Sequence, residues 1–222
     1  MPEPSLVIVV RHAQSEHHVR RLTGGWTDTP LTSLGHEQSR RLAARLKSEL
    51  GDTPVALYTS DFQRAMQTAA HIATEFGVEP IADARLREHN NGAAANMTLD
   101  DARARYAEAF ARPWLMDDRP FPGCESRREL YERASSFLDE LDGDGRLPVV
   151  VAHGASMECV IARWLRLTPE ALELIGFAAH TTGVTTLVRD RFGEPGVERM
   201  NDVAHLAGME GWVGLDGLLA AP

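Results

Sequence analysis

Leu6-Val7-Ile8-Val9-Val10-Arg11-His12 opens the chain with five branched or bulky apolar residues that run straight into a cation and an imidazole. A short apolar run closed by a polar break predicts a buried strand. Arg11 and His12 then fall at its carboxyl end, where open α/β sheets hold their ligands. A guanidinium offers forked donors to phosphate oxygens, and an imidazole can act as nucleophile or general base. The first expectation is therefore a phosphate site with a histidine beside it.

Two later segments repeat the arrangement. Pro54-Val55-Ala56-Leu57-Tyr58 predicts a strand entering Thr59-Ser60, followed by a helix from about Asp61 to Phe76. Ser60-Asp61-Phe62-Gln63 matches a capping box, and Ala65, Met66, Ala69, Ile72, Ala73 and Phe76 share one helical face. Arg64 sits in the first turn, beside free N–H donors and the positive end of the helix dipole. Leu147 to Ala152 predicts a third buried strand, ending in His153-Gly154, and Met157, Val160, Ile161, Trp164 and Leu165 mark a helix beyond it. Three strand ends thus deliver two arginines and two histidines. With a helix at Leu34–Leu50, the alternation of strands and amphipathic helices predicts a three-layer α/β/α sandwich around a largely parallel sheet. Residues 1–222 are expected to form a single domain.

The middle of the chain predicts an insertion over about 89–123, placed as a lid. His89-Asn90-Asn91-Gly92 is turn-like, and Leu99 to Phe110 predicts a short charged helix. Pro113, Pro120 and Pro122 then keep the stretch up to Gly123 irregular. Trp114 could anchor this insertion or pack over a substrate. Ser126-Arg127-Arg128-Glu129 matches a second capping box, opening a helix whose Leu130, Ala134, Phe137, Leu138 and Leu141 face the core.

In this order the motifs resemble those of the histidine phosphatase superfamily, whose members include cofactor-dependent phosphoglycerate mutases. Arg11-His12-Ala13-Gln14-Ser15-Glu16 resembles its Arg-His-Gly signature. Leu31-Thr32 with Gly35 and Gln38 is similar to the stretch after its first loop, and Ser60, Arg64-Ala65 and Gln67-Thr68 resemble its second arginine motif. Leu86-Arg87-Glu88 with Gly92 looks like its acid motif, Pro122-Gly123-Cys124-Glu125-Ser126 like its turn, and His153-Gly154 like its second histidine. Asn201-Asp202 with His205-Leu206 is similar to an ending seen in phosphatase members. The resemblance spans roughly Leu6 to Leu206, and these motifs in order are far more specific than any one of them.

Three positions depart from the pattern. Ala13 stands where the signature has glycine. His18 replaces a phosphate-binding asparagine, so that contact is either lost or made by an imidazole donor. Ala93-Ala94-Ala95-Asn96-Met97-Thr98 replaces an aromatic-rich stretch that shapes the mouth of the pocket.

The resemblance implies the roles. His12 would take the phosphoryl group, neutral on the attacking nitrogen. Arg11 and Arg64 would disfavour its protonated form and neutralise phosphoryl oxygens, with His153, His18 and Gly24 as further phosphate contacts. Glu88 would protonate the leaving alkoxide and later activate water, the alternative being an exposed loop carboxylate. Three functions compete. The favoured one is a metal-independent phosphomonoesterase working through phosphohistidine on small phosphorylated metabolites. The others are a cofactor-dependent phosphoglycerate mutase and a catalytically silent phospho-ligand binding module.

Composition fits a globular enzyme. The chain has 222 residues, of which 43% are hydrophobic, and a formal charge of −9, which argues against a general nucleic-acid binder. Local arginines can still attract an anionic substrate. The longest apolar runs are too short for a membrane span and the amino terminus lacks a signal-peptide pattern. Cys124 and Cys159 lack paired-ligand spacing, so a reducing cytoplasm is the simplest expectation. No cofactor or metal is expected: nine histidines are many, but neither a His-Glu-x-x-His pattern nor a Cys-x-x-Cys pair occurs. Adjacent His17 and His18 are expected to point apart. An ordinary surface or core place is the simple reading of His36, His71 and His180. A small phosphorylated substrate is the expected partner, without nucleic acid or membrane, and a homodimer is left open.

Overall fold

A computed structural model describes residues 4–141 and 144–210; the last stretch of the expected 1–222 domain, 211–222, lies outside the described residues. Six strands form one sheet in the order β3-β2-β4-β1-β5-β6. They are β1 (Leu6–Arg11), β2 (Val55–Thr59), β3 (Ile81–Ala82), β4 (Leu147–Ala152), β5 (Val184–Arg189) and β6 (Pro195–Asp202). Strands β1 to β4 run parallel, and β5 and β6 add an antiparallel edge beside β1.

The pleat of β1 explains the layering. Val7 and Val9 face one side, packing with Val150 and Ala152 of β4 against α5 (Arg127–Glu140) and α6 (Gly154–Trp164). Ile8 and Val10 face the other, packing with Val149 and Val151 against Leu42 and Leu46 of α2 (Ser33–Leu50) and Ala65, Ala69 and Ile72 of α3 (Gln63–Phe76). An apolar run without alternation is therefore what a strand covered on both faces requires. Each Val, Leu or Ile so buried contributes roughly 1.5–3 kcal/mol.

Parallel β1, β2 and β4 bring their carboxyl ends to one side of the sheet. The His12 amide donates to the Ala152 carbonyl at 2.9 Å, and the Ser60 amide to Val151 at 3.0 Å. The ladder itself thus sets His12, Ser60 and His153 side by side.

Two predicted helix features, one start and one length, need correction. Ser60 does not cap α3: the helix begins at Gln63 after Phe62, and the Ser60 hydroxyl reaches only the Phe62 amide, at 3.3 Å. The box does not close because Asp28 takes both Gln63 groups: the Gln63 amide donates to Asp28 Oδ1 at 2.9 Å and its Nε2 to Oδ2 at 3.3 Å. By contrast, Ser126 and Glu129 form the reciprocal box at the start of α5. The helix expected over Leu99–Phe110 is α4 (Leu99–Arg105), broken at Tyr106, and a 3₁₀ turn over Ala107–Phe110. Tyr106 has left helical φ/ψ to lay its ring edge-on against Phe121, 5.3 Å away. Residues 89–123 carry a small cluster of their own, in which Ala94 and Phe121 pack with Cys124, apart from both main cores. Trp114 closes it, donating from Nε1 to the Ala109 carbonyl at 2.6 Å and meeting Phe121 edge-on.

Candidate active site

The site begins with His12, 2% exposed, whose Nδ1 lies 2.7 Å from the Ala13 carbonyl. A carbonyl only accepts, so Nδ1 carries the proton and the lone pair sits on Nε2. Burial holds the imidazole neutral far below its ordinary range, and His153, Arg64 and Arg11 add repulsion against a proton. The loop that shapes this residue is gripped from α2 and α3. Thr68 accepts from the Ala13 amide, and Gln38 from the Gln14 amide. Gly35 passes so close to this loop that a Cβ there would lie 1.9 Å from the Gln14 carbonyl oxygen. A glycine is needed at that crossing.

His153 lies across from His12, their ring centroids 5.0 Å apart. Arg64 Nε donates to His153 Nδ1 at 3.1 Å, which forces the remaining proton onto Nε2. That Nε2 is fully buried and meets no partner among the described residues. Burial and the two arginines hold His153 neutral as well. It is therefore an N–H donor aimed into the site, and Arg64 excludes the doubly protonated form.

Arg64, 1% exposed, is fixed by the carbonyls of Thr27 and Gly25, each at 2.8 Å. The carboxylate of Asp28 stands 3.9 Å away, too far to neutralise it closely. Burial lowers the Arg64 pKa to about 10. Arg11 donates to the Ala179 carbonyl at 2.5 Å, and its buried Nε has no partner among the described residues. Two guanidiniums held by neutral carbonyls, without close counterions among the described residues, make a site that an anion would stabilise.

His17 and His18 do not point apart as expected. They lie on the single-turn α1 (Glu16–Val19), and their ring centroids are 3.9 Å apart. The Ser15 hydroxyl draws both rings back, 2.8 Å from His17 Nδ1 and 3.3 Å from His18 Nδ1. The Ser15 amide donates to His18 Nδ1 at 3.1 Å, leaving the His18 proton on Nε2, 3.2 Å from Arg11 Nη2. Two donors facing each other at that separation would both turn to an anionic oxygen. Burial pushes His18 down to about 4 and His17 to about 3, with neighbouring positive charge adding to it. Gly24 flanks the group: a Cβ there would lie 3.6 Å from His17 Nε2, in ordinary van der Waals contact.

Glu88 follows a 3₁₀ turn over Ala84–Leu86 and reaches the start of α6, where the Ala155 amide lies 3.2 and 3.3 Å from its two oxygens. It is partly buried, not an exposed loop carboxylate. Arg133 of α5 binds the carbonyls of Arg85, Arg87 and Glu88 and pairs with Glu125 at 2.5 Å. Glu125 in turn accepts from the Asn90 amide. Beside Glu88 opens a cavity of about 310 Å³, bordered by Gly24 and largely apolar beyond it.

Sequence reasoning therefore selected the residues that the fold brings together: His12, His153, Arg11, Arg64, His18, Gly24 and Glu88. It missed Arg133 and the carbonyls of Gly25, Thr27 and Ala179. Carbonyls have no side-chain signature, and Arg133 looks like any helix-surface arginine in the sequence. His36 and His71 pair with each other at 3.1 Å between α2 and α3, outside this cluster.

A strand-end cluster of two histidines and two arginines is what the histidine phosphatase superfamily (branch 1) would bring; its model matches residues 7–203, and the chain belongs to that family. It is thereby an enzyme of the phosphatase or mutase kind. In sequence it is similar to a 2,3-bisphosphoglycerate-dependent phosphoglycerate mutase of Azorhizobium caulinodans, 35% identical over 175 residues covering 75% of this chain and 84% of the relative. In structure it is similar to Bacillus stearothermophilus YhfR, with a TM-score of 0.76 and 26% identity over 91% of this chain and 100% of the other. A mycobacterial glucosyl-3-phosphoglycerate phosphatase solved with VO3 shares the fold, at a TM-score of 0.74 and 24% identity over 89% and 99%. Among the described residues no helix is long and apolar enough to cross a membrane.

Proposed function

We propose that this enzyme hydrolyses phosphomonoesters through a phosphohistidine on His12, without a metal. The observation that carries the reading is the pair of imidazole tautomers: a lone pair on His12 Nε2 and an N–H on His153 Nε2 in the same cluster. In the first step the lone pair forms the N–P bond as the ester P–O bond breaks. Arg11, Arg64, His153 and His18 hold the phosphoryl oxygens, and Glu88 gives its proton to the leaving alkoxide. In the second step water attacks phosphorus, Glu88 takes its proton, and the N–P electron pair returns to His12. The segment 89–123 serves as the lid, and the expected setting is the cytoplasm.

A second reading, the phosphoglycerate mutase, is favoured by the names of relatives around one-third identical to this chain. In that case the phosphoryl group returns to a bound intermediate instead of to water. Phosphate release from simple monoesters, followed with EDTA present, tests the choice. The expected result is release without bisphosphoglycerate, with an acid-labile, alkali-stable phosphoprotein on rapid quenching that is absent from His12→Ala. Phosphoglycerate interconversion that outpaces release and requires bisphosphoglycerate would establish the mutase instead.

A further inference from the structure

The cavity beside Glu88 has a composition that bears on the alcohol half of the ester. Leu99, Phe110, Trp114, Phe121 and Leu172 supply its walls, in the segment 89–123 and before β5. Its acidic groups are Glu88 at the phosphate end and Glu158 of α6, where burial raises the Glu158 pKa. Among the described residues the only arginine in the lining is Arg127, and it is committed. Its Nη1 donates to the Trp114 carbonyl at 3.1 Å, its Nη2 to Leu172 at 2.9 Å, and Glu158 stands 3.7 Å away. His89, the other basic group there, is tied to the Glu125 carbonyl and kept neutral by burial.

We propose that the site selects monoesters of apolar, uncharged alcohols and rejects those carrying a second anionic group. The proposal rests on the phosphatase reading for its chemistry. A carboxylate or second phosphate on the alcohol would enter a low-dielectric wall flanked by the acidic side chains Glu88 and Glu158, where the lining cation is already spent on Trp114, Leu172 and Glu158. An alkyl or aryl group would instead exchange water for Leu99, Phe110 and Leu172. At roughly 0.8 kcal/mol per buried methylene, each one improves binding about fourfold. A cavity of about 310 Å³ suits a compact group at the small end of ligand sites.

The test is a series of straight-chain alkyl phosphates from ethyl to hexyl, whose leaving groups differ little in acidity, set beside 3-phosphoglycerate. kcat/KM should rise about fourfold per methylene until the cavity fills, and 3-phosphoglycerate should be the slowest. Phe110 is 40% exposed, so Phe110→Arg should fold; it should flatten the series and raise 3-phosphoglycerate turnover at least about tenfold. Glu158→Gln, which keeps the acceptor for the Phe177 amide, should also raise it. Phosphate release without a chain-length trend, or fastest from 3-phosphoglycerate, overturns the proposal and leaves the phosphatase reading standing. If no ester is hydrolysed, that reading fails, and alkyl phosphonate binding to His12→Ala still decides the proposal. Affinity rising about fourfold per methylene upholds it, and a flat series overturns it.

Discussion

At the residue scale, the site depends on which nitrogen carries each proton. Arg64 does two things at once: it fixes the His153 tautomer through Nε and leaves guanidinium N–H groups for an anion. Lysine keeps the charge but has one nitrogen, so it cannot bind Thr27, Gly25 and His153 together. Arg64→Lys should therefore lower kcat by roughly a hundredfold to a thousandfold, as loss of a preorganised donor does. Wild-type kinetics in that variant would reduce Arg64 to a structural cation. Glu88 is a second case. Glu88→Gln can still accept the Ala155 amide, so the start of α6 is kept while proton transfer is lost. Turnover should fall most for alkyl phosphates and least for activated aryl phosphates, whose leaving groups need no proton. Equal losses across a leaving-group series would place Glu88 outside the chemistry.

At the scale of elements, the question is what holds a loop carboxylate in place. Arg133 ties the three carbonyls around Glu88 to α5, and Glu125 ties Arg133 to the Asn90 amide. The segment 85–90 has little regular structure, so its position rests on these bonds. Arg133→Ala should cost roughly 1–3 kcal/mol in stability by leaving carbonyls and Glu125 less satisfied. It should also reproduce the leaving-group selectivity of Glu88→Gln, measured on the same ester series; a uniform loss would mean general destabilisation. Such couplings explain what was legible in the sequence. Strands β1, β2 and β4 announce themselves because each is buried on both faces, so its apolar run has no gaps. Arg11, His12, Arg64 and His153 follow because they sit at fixed offsets from those runs. The α3 cap and the break at Tyr106 do not follow, since Gln63 and Tyr106 have partners distant in the chain, Asp28 and Phe121. The ending Asn201-Asp202 and His205 is legible as a motif only. Its reason is spatial: Asn201 holds the His180 amide, Asp202 holds Arg45, and His205 holds Thr182, bracing the loop whose Ala179 carbonyl orients Arg11.

At the scale of the whole molecule, a chain of formal charge −9 buries a concentrated positive cluster at one side of its sheet. His12, His17, His18 and His153 are all held neutral there, with His18 lowered to about 4 and His17 to about 3. An unfolded histidine titrates near 6.5. Below that pH the unfolded chain takes up protons that the folded site refuses, so stability is fully present above about pH 6.5. It is lost as pH falls toward about 4 and 3. At pH 5 His17 and His18 each cost about 2 kcal/mol relative to pH 8. Carboxylates contribute to a different window: Asp202, lowered to about 2 by Arg45, loses its share only below its ordinary range near 3.8. A bound dianion reverses the cost at His12 and His18, because it favours their protonated imidazoles and counters Arg11 and Arg64. Sulfate stays doubly charged from about pH 5 to pH 8 and so isolates this effect. Millimolar sulfate should therefore raise the melting temperature more at pH 5 than at pH 8, by several degrees. The difference should shrink in a variant carrying both His12→Ala and His18→Asn. An equal sulfate response at the two pH values would mean that the histidines remain neutral around the anion, with the arginines alone binding it.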